Sequence, residues 1–71
     1  MPELVILEDL KGALIGQYEG RTVYSLPAIW KILRERDGMT HEDAKEFCSF
    51  NIEGLFPSYR GPIFVEPLEI V

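Results

Sequence analysis

The stretch that decides the fold reads Ala13-Leu14-Ile15-Gly16-Gln17-Tyr18-Glu19-Gly20-Arg21-Thr22-Val23-Tyr24-Ser25. Residues 13–18 read as a strand, Glu19-Gly20 as a tight turn, and residues 21–24 as a return strand rich in β-branched and aromatic types. A two-residue loop pairs Tyr18 with Arg21 and Gly16 with Val23. Glutamate fits positive φ poorly, so a slightly longer, bulged loop is the other solution. Gly16 inside a strand predicts a bulge or a close neighbouring element.

Downstream, Ser25 is placed as an N-cap and Pro27 falls in a first helical turn, where its missing amide proton is harmless. Leu26, Ile29, Trp30, Ile32 and Leu33 follow at helical spacing, and Lys31, Arg34, Glu35 and Arg36 take the outer face. Asp37-Gly38 ends that helix, with glycine suited to the left-handed position. A second helix starts at once. Thr40 caps it, Asp43 stands three residues on, and Met39 and Ala44 are spaced for a hydrophobic staple. Ala44, Phe47, Cys48, Asn51, Ile52 and Leu55 form its apolar stripe, and Gly54 is the expected terminator.

At the flanks, residues 4–7 form a short apolar run that could be a strand, and residues 9–12 look like a turn. Pro57, Gly61 and Pro62 make an irregular loop, and Ile63-Phe64-Val65 reads as a strand. Pro67 interrupts it, leaving residues 68–71 as a last short strand or a docked tail. The expectation is a single α+β domain over residues 1–71. It has a small, mainly antiparallel sheet of three or four strands, with two consecutive helices packed on one face.

Composition narrows function more than it identifies it. Seventy-one residues hold one small core. Seven basic against 12 acidic residues give a net charge of −5, which repels phosphate backbones, so no nucleic-acid partner is expected. The one basic cluster, Lys31, Arg34 and Arg36, sits where cations complement a helix dipole. No apolar run approaches a membrane span. The N-terminal residues lack the basic, apolar and small-residue order of a secretory signal, so a cytosolic, reducing compartment is expected. One cysteine and one histidine supply neither a disulfide framework nor a protein-only zinc site. No metal or cofactor is expected.

Catalytic parts are equally sparse. His41 falls at a first helical position with no orienting partner at a recognisable spacing. Cys48 lies mid-helix on the apolar stripe, a setting for an inert, buried thiol. Glu8/Asp9 and Glu42/Asp43 are sequence neighbours and do not face each other. Gly12, Gly16 and Gly20 do not lead into a helix as a phosphate cradle requires. Asn51 is the oddity. Inside an apolar stripe its amide should be buried and should tie a loop or strand backbone to the second helix, so Asn51→Leu should destabilise the fold. Phe47 and Phe64 are expected in the core. Trp30, Phe56, Tyr59 and Arg60 are the protein-binding candidates, since aromatic residues with arginine are the usual hot-spot composition. Core packing explains Trp30 and Phe56 equally well.

Residues 13–16, 23–25, 37–39, 51–54 and 62–65 together resemble a group of small proteins encoded by bacteria and their phages. That group reads Ala-Leu-Ile-Gly, a Val-Tyr-Ser strand, Asp-Gly-Met, Asn-Ile-Glu-Gly and a closing Pro-Ile-Phe-Val. The chain departs from it at residues 55–58 and adds residues 66–71. The resemblance implies a bacterial or phage source and brings no activity with it. The resulting expectation is a non-enzymatic module that binds another protein, in a phage setting an accessory factor acting on a host protein. A homodimer, through an exposed sheet edge or residues 68–71, is the nearest alternative. An enzyme would need a site shared between subunits.

Overall fold

The computed structural model describes residues 6–56 and 61–67. The hairpin of β1 (Leu14–Tyr18) and β2 (Arg21–Ser25) closes through a two-residue turn with the expected register, Tyr18 opposite Arg21 and Gly16 opposite Val23. Glu19 and Gly20 take φ of 48° and 77°. The tight turn therefore forms despite the roughly 1–2 kcal/mol that a left-handed non-glycine residue costs. The register shifts between Leu14 and Gly16, so the irregularity foreseen at Gly16 is a bulge. A Cβ on Gly16 would meet nothing within 4 Å, which excludes close approach as its reason. Ala13 belongs not to the strand but to a 3-10 helix, Glu8–Ala13, kinked at Leu10, which replaces the expected turn at residues 9–12.

Helix α1 (Leu26–Asp37) begins as expected. Ser25 Oγ accepts from the Ala28 N–H at 3.4 Å, and Gly38 closes the helix at φ 69° with its N–H donating to the Arg34 carbonyl. Helix α2 (His41–Asn51) is capped by Thr40, whose Oγ1 accepts from the Asp43 N–H at 3.1 Å. It ends earlier than Gly54. The chain tightens after Asn51 into a 3-10 turn, Glu53–Leu55, that contains that glycine.

Strand β3 (Ile63–Val65) pairs with β2 in parallel, Val23 opposite Ile63 and Ser25 opposite Val65. The sheet, ordered β1-β2-β3, is thus mixed rather than mainly antiparallel. A parallel neighbour requires a crossover of a dozen or more residues, and α1, α2 and the segment after them provide it. Arg21 Nε donates to the Gly61 carbonyl at 2.7 Å. That bond joins the residue that opens β2 to the segment just before β3, in keeping with their parallel pairing. Gly61 is required there, because φ is +80° and a Cβ would lie 2.9 Å from Phe56 Cδ1.

Of the apolar run at residues 4–7, Leu4 and Val5 lie outside the described residues, as do residues 68–71. Ile6 and Leu7 form no strand. Instead the Leu7 N–H donates to Tyr24 Oη at 2.7 Å. Tyr24 is fully buried and stacks on the half-buried Phe64. Helix α1 is the hub of the core, packing against α2, β2 and the 3-10 helix. Leu10, Ala13, Tyr24, Ile29, Trp30, Leu33, Ala44 and Cys48 are buried together.

Candidate interaction surface

Helix α2 buries only Ala44 and Cys48. These are four residues apart and make a single narrow ridge against α1. At about 100° per residue, Phe47 and Phe50 project to one side of that ridge. Phe47, expected in the core, is 39% exposed, Phe50 is 73% exposed, and Leu55 in the following 3-10 turn is 70% exposed. The physical reason is the roll of α2: a narrow helix–helix contact cannot cover an apolar arc this wide.

Two depressions flank this exposed face. An open groove of about 440 Å³ runs between α2, the end of α1 and the N-terminal 3-10 helix, and its apolar lining includes Ile6, Leu33, Phe47, Ile52 and Leu55. A shallower hollow of about 320 Å³ is lined by Asp43, Glu46, Phe47, Phe50 and Asn51. Phe47 and Asn51 line both, so the two form one continuous surface along α2.

Asn51 is not the buried tie expected. It is exposed, and its Nδ2 donates to the Phe47 carbonyl of its own helix at 3.2 Å. The roll that uncovers Phe47 uncovers Asn51 one turn later. Trp30, a protein-binding candidate from sequence, is only 8% exposed. Lys45 Nζ sits 5.3 Å above its ring, and His41 meets it edge-on at 5.7 Å. The contacts cover the indole and give it to the core. Among the described residues its buried Nε1 has no acceptor at hydrogen-bonding geometry. Phe56 turns inward, half-buried and tilted against Phe64 at 6.3 Å, and reaches the groove as a wall residue. Tyr59 and Arg60 lie outside the described residues.

The charges are arranged unevenly. Glu8 and Asp9 stand at the groove's far side, with Glu8 paired to Lys11 at 3.0 Å. Arg36, also lining the groove, is engaged by Asp37 at 2.9 Å and donates through Nη1 to the Asp9 carbonyl at 3.3 Å. Its hydrogen bond holds the Asp37 carboxyl below the usual carboxylate range. Asp43 and Glu46 make no ion pair among the described residues. Cys48 is fully buried. Desolvation, with a smaller contribution from the nearby Glu53 carboxylate, pushes its thiol up to about 11. Among the described residues no group of three His, Cys, Asp or Glu side chains gathers to hold a metal ion, and no helix is long and apolar enough to cross a membrane.

One feature of the sequence signalled the exposed face: α2 carries two apolar pairs, 44/48 and 47/50, where one pair suffices for a two-helix contact. Comparison with protein-family models, curated proteins and solved structures finds no match to this chain.

Proposed function

We propose that this protein is a non-enzymatic interaction module that docks another protein on the outer face of α2, acting in a bacterial or phage setting as an accessory factor. The observation that carries this reading is the exposure of Phe47, Phe50 and Leu55 along two adjoining depressions that share Phe47 and Asn51. Single exposed apolar residues are ordinary, but large ones gathered around a depression are the usual mark of a docking site. A chain of this size also has little interior beyond its own core from which to shape an enclosed active site.

Site-specific photocrosslinking in expressing bacteria tests it, with a benzophenone amino acid in place of Phe50 in one variant and Tyr18 in another. A discrete adduct with a different protein from position 50, absent from position 18, supports the reading. Adducts at neither position, or the same smear from both, overturn it. A second reading, the homodimer, draws on β1, an edge strand with Ile15 56% and Tyr18 62% exposed. An adduct of twice the chain mass from position 18 favours it.

A further inference from the structure

We infer that the occupant of the α2 face is a cationic amphipathic segment: apolar side chains seated on Phe47, Phe50 and Leu55, with lysine or arginine reaching Asp43 and Glu46. This rests on the interaction reading above and names the chemistry of the partner. The same shallow hollow lined by Phe47 and Phe50 is also lined by Asp43 and Glu46. Neither carboxylate has an ion pair among the described residues, whereas Glu8, also at the groove, is matched to a nearby cation. Lys45, the cation on α2 itself, is drawn off over the Trp30 ring. Arg36, the cation lining the groove, is held by Asp37. An incoming segment therefore meets aromatic rings bordered by unmatched negative charge.

The arrangement also selects against other occupants. In an isologous dimer through this face, Asp43 and Glu46 of each copy would be brought into the same contact, where like charges repel. Phosphate-bearing surfaces are repelled by the same carboxylates and by the net charge of −5. A helix is a fitting form for the segment. Asp43 and Phe50 are seven residues apart, about 10 Å along the α2 axis, which an opposing helix spans in two turns.

The test is an NMR titration of the whole chain with a synthetic Leu/Lys amphipathic helical peptide and with its Leu/Glu counterpart. The expected result is saturable shifts at residues 43–55 from the Leu/Lys peptide, weakened by salt, and none from the Leu/Glu peptide. Asp43→Asn/Glu46→Gln should lower affinity for the Leu/Lys peptide roughly two- to thirtyfold, the range for two exposed ion pairs. Phe50→Ser, at a largely exposed position, should lower it while leaving the melting temperature in place. If both peptides bind equally well and Phe50→Ser weakens both, the docking face stands and the cationic partner falls. If the Leu/Lys peptide binds but ignores Asp43→Asn/Glu46→Gln, the attraction is general charge and the inference is overturned. If neither peptide binds, it is also overturned, and a doubled mass by light scattering would identify a second copy as the occupant.

Discussion

Replacing Tyr24 by Phe removes one oxygen from the centre of the molecule and leaves the ring in place. The ring keeps its burial and its stack on Phe64, 6.1 Å away. What is lost is the acceptor for the Leu7 N–H, now 2.7 Å from Tyr24 Oη. A hydrogen bond of this kind contributes about 0.5–1.5 kcal/mol net, and a fully buried, stranded donor costs about 1–3 kcal/mol. Leu7 is only half-buried, so water recovers part of that penalty and the expected loss is about 1–2 kcal/mol. For a domain of this length the corresponding drop in melting temperature is roughly 5–12 °C. Thermal unfolding followed by circular dichroism reads it, with Tyr18→Phe, at a 62% exposed site, as the control. Amide exchange adds a local readout, since the Leu7 N–H should lose its protection. Leu7 and its neighbours wall the groove, so the same substitution should loosen the docking surface. A melting temperature within about 2 °C of the parent, with Leu7 still protected, would refute the claim that Tyr24 ties down this wall.

Asn51→Leu should leave stability within about 0.5 kcal/mol of the parent, because the amide is exposed and, among the described residues, bonds only to its own helix; urea unfolding checks it, and a large loss would return Asn51 to a buried tie. The Cys48 thiol, raised from an ordinary 9.0 to about 11 in the fold, makes stability pH-dependent with a definite sign. The folded state holds its proton more tightly, so the stabilisation is complete below about pH 9 and is lost as pH rises toward about 11. Cys48→Ala should remove that component from the urea midpoints measured across this window, and an identical alkaline slope in both proteins would count against it.

The hairpin and both helix starts were legible because the interactions that set them are local. Tyr18 faces Arg21 across two turn residues, Ser25 and Thr40 each cap an amide three residues ahead, and Gly38 supplies a left-handed φ at the end of α1. Each depends on the chemistry of a few consecutive residues, and the α+β class follows from their order. Local expectation failed at the end of α2, where the helix tightens after Asn51 before reaching Gly54, and at residues 8–13, where a 3-10 helix replaces a turn and takes in Ala13.

The sequence by itself determined the β1–β2 hairpin, the two helices with their N-terminal caps, and the strand at residues 63–65. Only the tertiary structure decided three things. The parallel direction of β3 is set by contacts between distant parts of the chain, the β2–β3 ladder and the Arg21–Gly61 hydrogen bond between residues 40 apart. The burial of Trp30 depends on Lys45 and His41 arriving from another helix to cover it. The exposure of Phe47, Phe50 and Asn51 depends on how far α2 is rolled against α1. An apolar stripe records how much of a helix can be buried. Which part of it is buried belongs to the contact between two surfaces, and neither helix encodes that contact alone.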